Sequence, residues 1–312
     1  MTTPDRRPAV LEGSKATPAS RDRFQSRLLV LAGVPLLCWV GWRALGYASS
    51  AGYAAHTFLI SACALSTLFG LAAWRLRAAT PGAAACGVLI CFDITILSGR
   101  RGSGSVLSSG LTPLILLFLL THAATRFRRD RKRTSVSSHE EKQGRNAAQV
   151  IANLGVAAVA AAQYCWIFHG VPRSVAAITI VPALQIPMLS ALAEATADTL
   201  SSEIGQAVGG RPFLVLHWRR VTPGTDGAIS AAGTLAGVGG AAIIALVAAS
   251  TMGIRFLGIS DIVLAATAGL FFDSLLGATL ERAGWIGNDM VNFASTLFSA
   301  VLAYLLQAGT FG

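Results

Sequence analysis

Asp198 and Glu203 stand in the segment T-A-D-T-L-S-S-E-I-G, residues 196–205, directly after an apolar stretch of helix length. Ionisable groups at membrane depth are costly, so each marks a candidate functional site. Their carboxylate oxygens, with the hydroxyls of Thr196, Thr199, Ser201 and Ser202 between them, suit a hard cation such as Mg²⁺, which usually brings phosphates with it. Glu194 and Asp198 are four residues apart and share a helix face. Glu203 lies five residues beyond Asp198, roughly 140° round an ideal helix, and joins them if the helix loosens near Ser201. The plainer alternative is a helix end with solvated acids.

Four further segments carry polar groups in spacings that matter. Q-G-R-N-A-A-Q-V-I-A-N, residues 143–153, sets Asn146, Gln149 and Asn153 at i, i+3 and i+7, one face of a helix entering the membrane. Buried amides need partners, either on other helices or on a bound headgroup. Arg145 at the boundary suits phosphate because its fork is bidentate. The turn V-T-P-G-T-D-G-A-I-S, residues 221–230, frames Thr225 and Asp226 with Gly224 and Gly227. Glycine permits positive φ and close backbone approach, and such turns can aim several N–H groups at an anion, although ordinary loop turns look the same. Asp226 is placed either to serve a metal or to cap the next helix. Lastly, Asp273 interrupts the apolar pattern of F-D-S-L-L-G-A-T-L-E, residues 272–281. Asn288, Asp289 and Asn292 stand at the mouth of the last apolar run, where Asp289 also fits a helix-start acid favoured by the dipole.

The elements that must hold these groups are membrane helices. The 312 residues are 53% hydrophobic and 13% charged, with a mean hydropathy of +0.59. A soluble domain averages about 25% charged residues. Apolar runs near 27–46, 54–74, 82–98, 105–124, 147–168, 174–195, 229–250, 256–279 and 291–309 have the length a spanning helix needs. The expectation is an all-α polytopic transmembrane bundle of about eight or nine spans. Residues 1–26 form a polar, disordered cytosolic tail, residues 27–312 a single transmembrane domain, and cytosolic loops fall near 126–146 and 206–228. The net charge of +10 sits in loops beside the apolar runs, which is a topology signal rather than a nucleic-acid one. With the N-terminus in the cytosol, Arg75, Arg77, the run 126–133, Arg145, Arg211, Arg219 and Arg220 all fall inside, while Arg100 and Arg101 fall outside against the rule. Every polar segment above then faces the side where nucleotides are. The five cysteines lie in apolar runs without C-x-x-C and read as small buried hydrophobes. The histidines lack ligand spacing, and no Walker A, GxSxG or H-E-x-x-H string is present.

The strings G-R-N-A-A-Q-V-I-A-N, A-D-T-L-S-S-E-I-G, P-G-T-D-G-A-I-S and F-D-S-L-L-G-A-T, in this order, resemble the integral membrane family of plant phytyl-phosphate kinase and animal transmembrane protein 19. The resemblance covers roughly residues 30–310. Asp226 and Ala228 depart from it, standing where the family pattern has Asn and Gly. It implies an isoprenyl-phosphate kinase that converts phytyl, geranylgeranyl or a related prenyl monophosphate to the diphosphate, with CTP or ATP as donor and Mg²⁺. In the plant member this serves phytol salvage toward tocopherol. On that reading Asp198, Glu203 and Asp273 are catalytic, Asp198 and Glu203 as metal ligands. Arg145, Asn146, Gln149, Asn153, Gly224, Thr225, Gly227 and Asn292 bind substrate phosphates. The partners are membrane lipids, the isoprenyl phosphate and the nucleotide, with no nucleic acid. The membrane is the plasma membrane in a bacterium and the plastid envelope or endoplasmic reticulum in a eukaryote. A transporter or ion-coupled carrier and a lipid-linked cytidylyltransferase use similar ingredients.

Overall fold

In lipid, backbone N–H and C=O groups must be satisfied within the chain, so apolar runs of about 20 residues fold as helices. The computed structural model describes residues 19–49, 53–99, 105–128, 144–163, 184–217 and 219–311. Among these it forms α1 (Ala19–Ser49), α2 (Tyr53–Arg75), α3 (Pro81–Ser98), α4 (Leu111–Arg126), α5 (Ala147–Ala161), α6 (Ile186–Val208), α7 (Ala231–Met252), α8 (Phe256–Leu276) and α9 (Asn288–Phe311). A 3₁₀ turn, Val106–Ser108, precedes α4, and a π turn, Gly277–Glu281, extends α8. α1, α2, α3, α7, α8 and α9 are long and apolar enough to cross a membrane, while α4 and α5 are shorter apolar helices. The protein is an all-α, polytopic integral membrane protein.

Local sequence sets the ends. Thr80 caps α3 ahead of Pro81, its Oγ1 accepting from Ala83 N at 3.3 Å. Ser230 caps α7 by accepting from Gly233 N at 3.1 Å, and Gly253 closes that helix at φ 74°. α6 is the axis of the bundle and packs against α4, α5, α7, α8 and α9. Its residues from Ile186 to Ala197 are buried without a break, the pattern of a helix enclosed on all sides. Gly233 and Gly237 of α7 lie against the Ser201 and Ala197 carbonyls of α6, the close approach that small residues allow.

Two sequence expectations change. The tail expected over residues 1–26 gives way to helix at Ala19. There Arg21 Nη1 donates to Gly284 O (2.7 Å), Gln25 Oε1 accepts from Gly287 N (2.8 Å) and Ser26 Oγ donates to Asp289 Oδ2 (2.7 Å). These bonds dock the polar start of α1 on the α8–α9 connection and extend it beyond its apolar stretch. Second, the loosening near Ser201 that would bring Glu203 round to Asp198 is absent, and the acids of residues 196–205 lie inside α6. α6 runs unbroken through Ser201 to Val208 and stops only at Gly209, φ 78°. Residues 1–18, Arg100 and Arg101, the loop over 129–143, Cys165, His139, His169 and the expected span from 174 as far as 183 lie outside the described residues.

Candidate active site

At one end of the bundle a cavity of about 340 Å³ opens between α5, α6, α8, α9 and the loop before α7. It brings together Asp198, Glu203, Asp273, Arg145, Gln149, Asn153, Gly224, Thr225, Gly227 and Asn292, groups spread over five sequence segments. Each is positioned by a distinct device.

Arg145 is held by its backbone before its side chain is used. Thr80 N donates to Arg145 O and Arg145 N to Ala78 O, both at 2.9 Å, so residue 145 forms a parallel bridge with the α2–α3 turn. Its guanidinium Nη2 then donates to Thr199 Oγ1 of α6 at 3.3 Å, and Asp198 and Glu203 are its nearby acids. Burial pulls the Arg145 pKa down while those two carboxylates push it up. An arginine starts so far above neutrality that it stays cationic.

On α6, Asp198 and Glu203 both face the cavity although the helix does not loosen between them. The space is wide enough to take a broad arc of the helix, including Thr199, Ser202 and Gln206. Asp273 enters from α8, and its Oδ2 is buried with no hydrogen-bond partner among the described residues. Glu194, one turn below Asp198, is 1% exposed and does not line the cavity. A Cβ at Gly269 would stand 2.6 Å from Glu194 Cγ, so this acid is wedged against α8.

The glycine turn forms a roof. β1 (Phe213–Leu214) pairs antiparallel with β2 (Ala228–Ile229), which brings Pro212 and residues 223–228 to the cavity beside the α6 acids. Thr225 is fastened by its Oγ1 donating to Thr222 O at 2.7 Å. Gly227 has φ 70°, and a Cβ there would meet Ser274 O at 2.5 Å and the Ala278 backbone N, so only glycine lets this strand rest on the π turn. Asp226 lines the same cavity; burial raises its pKa and Arg282 opposes the shift.

The three amides of α5 divide. Asn146 and Gln149 form a reciprocal capping box, with Asn146 Oδ1 accepting from Gln149 N (3.0 Å) and Gln149 Oε1 from Asn146 N (2.9 Å). Gln149 still lines the cavity, whereas Asn146 does not. Asn153 Nδ2 donates to Gln149 O at 2.8 Å, and the residue lines the cavity. Asn288, which the sequence marks only as a polar group at the mouth of the last run, also lines the space, as do Glu281 and Gln206, which the sequence reading does not mark. Thr199, Ser202 and Gln206 repeat at i, i+3 and i+7, a signal equal to the one used for α5. Glu281 had none, because the π turn changes the register that brings it round.

Five carboxylates, those of Asp198 and Glu203 on α6, Asp226, Asp273 on α8 and Glu281, line the cavity with Arg145 and the glycine turn. Among the described residues no three of His, Cys, Asp and Glu stand close enough to hold a metal by themselves. Mg²⁺ ordinarily keeps waters and takes one or two carboxylates plus substrate phosphates, so this donor set fits it in the company of a phosphate ligand. The unpartnered Asp273 Oδ2 is consistent with that fit.

Residues 64–300 match the family model described as integral membrane protein DUF92. An uncharacterized membrane protein of Methanocaldococcus jannaschii is 41% identical over 125 residues, 39% of this chain and 50% of its own length. The chloroplastic protein VTE6 of Arabidopsis thaliana is 27% identical over 229 residues, 72% of this chain and 66% of its own. Protein PGR of the same plant is 29% identical over 242 residues, 64% of this chain and 81% of its own. The chain thus spans half the length of the first of these relatives. No solved structure matches it. With the match covering most of the sequence, the chain belongs to the DUF92 family of integral membrane proteins.

Proposed function

We propose that the protein is an isoprenyl-phosphate kinase that transfers a phosphoryl group from CTP or ATP to a prenyl monophosphate such as phytyl or geranylgeranyl phosphate. The observation that carries this reading is the convergence of Asp198, Glu203 and Asp273 with Arg145 and the Gly224–Gly227 turn on one cavity at a single end of the membrane helices. The resemblance to the phytyl-phosphate kinase family supports the choice of acceptor.

Phosphoryl transfer needs positioning and charge neutralisation more than covalent chemistry. An oxygen of the acceptor monophosphate attacks the terminal phosphorus of the nucleotide, the bond to the bridging oxygen breaks, and the nucleoside diphosphate leaves. The acceptor oxygen is already anionic, so no general base is required. Asp198 and Glu203 would hold Mg²⁺, with Asp273 as a third acid, and that ion supplies neutralisation of the phosphate charge. Arg145, fixed by its backbone bridge, holds a phosphate in place. The Gly224–Gly227 turn shields the reacting phosphates from water and brings backbone close to them.

The test is a transfer assay on purified protein in detergent. It combines phytyl, geranylgeranyl or farnesyl monophosphate with labelled CTP or ATP and Mg²⁺, and Asp198→Asn as control. Prenyl diphosphate from the wild type alone is the expected result. Release of pyrophosphate would point instead to a cytidylyltransferase. No product from folded, inserted protein would remove the kinase reading and favour a carrier.

A further inference from the structure

A second cavity, of about 690 Å³, lies between α2, α3, α4 and α5. It shares Arg145, Gln149 and Glu203 with the acidic cavity, so the two spaces meet at these three residues. The lining changes in step along α2, α4 and α5, while α3 contributes only Ala83, Ala84 and Gly87. At one end stand Arg77, Arg126 and Arg145; deeper lie Phe69, Gly87, Leu117 and Leu154. From Arg77, just past the end of α2, back to Phe69, or from Arg145, just before α5, on to Leu154, is eight or nine residues, roughly 12–14 Å at the helical rise. The space is therefore a graded slot, cationic where it joins the acidic cavity and apolar within the bundle. Its volume falls in the range of pockets that enclose small ligands.

Two local features point to a ligand. Arg77 closes α2 in a Schellman motif, with Arg77 N donating to Trp74 O and Ala78 N to Ala73 O, both at 2.9 Å. The motif puts Arg77 at φ 56°, the left-handed position that normally takes glycine. At this position, where the backbone favours glycine, a long cationic side chain lines the slot. Part-way down the slot, His122 stacks on Phe118 with ring centroids 5.6 Å apart. Its Nε2 is buried without a hydrogen-bond partner among the described residues.

We infer that this slot binds the phosphate acceptor itself. The single apolar chain lies between α2, α3, α4 and α5, and the monophosphate is held by Arg77, Arg126 and Arg145 at the threshold of the acidic cavity. This rests on the proposed transfer reaction, and it adds where the acceptor sits and what selects it. Chain selection falls to the deep residues. At Gly87 a Cβ would meet its nearest neighbour, Phe69 Cε1, at 3.9 Å, so a larger side chain can grow into the slot. Arg77→Gly removes a cation while relieving the backbone, so loss of ligand in that variant is not loss of fold.

The experiment is photolabelling of the full chain in lipid nanodiscs with geranylgeranyl monophosphate bearing a diazirine at the end remote from the phosphate. Peptide mapping should place the label on the segments around Phe69, Gly87, Leu117 and Leu154. Labelling should fall at least fivefold in Arg77→Gly and in Gly87→Leu, and stay unchanged in Asp198→Asn. Label on another face, no label, equal labelling by the matching diazirine alcohol, or displacement by excess phosphatidic acid would each overturn the assignment, the last by making the slot an ordinary phospholipid site. The mapped label without turnover would keep the slot and sink the kinase reading; turnover with label elsewhere would do the reverse.

Discussion

The two cavities meet at Arg145, Gln149 and Glu203 yet are built from opposite materials. Around α6, α8 and the glycine turn the lining is carboxylates, hydroxyls and amides. Between α2, α3 and α4 it is mostly alanine, leucine, glycine and phenylalanine, with arginines confined to one end. Acids facing a cavity can hold a cation and its phosphates, whereas an apolar slot can hold only what leaves water willingly. On the proposed reading the contrast divides the labour: one side would neutralise and transfer, the other would hold and measure a chain. Arg145 belongs to both because its backbone is bridged to the α2–α3 turn while its side chain reaches α6.

That division is open to direct attack. Asp198→Asn should lower kcat by about 10²–10³-fold, the scale of losing a preorganised electrostatic contact, with normal expression and unchanged photolabelling. Retained turnover would take the metal role away from α6. A smaller loss, about ten- to a hundredfold, is expected for Asp273→Asn, read as a higher Mg²⁺ requirement in the same assay. An unaltered Mg²⁺ dependence would remove Asp273 from the ion. Arg77→Gly should raise KM for a long-chain monophosphate several-fold and leave kcat alone, while thermal unfolding shows the variant more stable by roughly 1 kcal/mol. A fall in kcat at constant KM would place Arg77 with the chemistry instead. Asn146→Ala should lose about 1 kcal/mol of stability through the broken capping box, with both kinetic constants unchanged. A change in KM there would return Asn146 to the phosphate site.

A further contrast concerns acids that look alike in the sequence. Asp93 on α3 is wholly buried and neither carboxyl oxygen has a hydrogen-bond partner among the described residues. It lies against α1, where a Cβ on Gly41 would stand 2.9 Å from Asp93 Oδ1. Asp93 lines neither cavity, whereas Asp273 on α8 opens into one. Burial of a membrane acid is thus not by itself a sign of an active site. The smallest expected effect follows: Asp93→Asn should keep kcat and long-chain KM at wild-type values in the transfer assay, and loss of turnover would erase the distinction.

Much of the cavity lining was legible because it is local. Arg145 and Gln149, the acids of residues 196–205, the glycines at 224 and 227, Asp273 and Asn292 each stand out against apolar or glycine-rich surroundings. Membrane helices were legible because lipid leaves the backbone few alternatives. Asn146 was ambiguous from sequence, since a capping box and a phosphate contact use the same amide. Glu281 was hidden because a π turn, invisible to a 3.6-residue period, sets its direction.

The sequence by itself determined that the chain is a helical membrane protein with its unusual polar groups near helix ends, because hydropathy and residue type act within a single segment. Tertiary structure decided what those groups face. It carried the acids of α6 into the interior of a continuous helix, laid the glycine turn over them and left Asp93 closed. It also turned four separate apolar faces into one slot beside the acids. Those outcomes depend on which helices touch, and contact between segments distant in sequence is a property of packing that no single segment encodes.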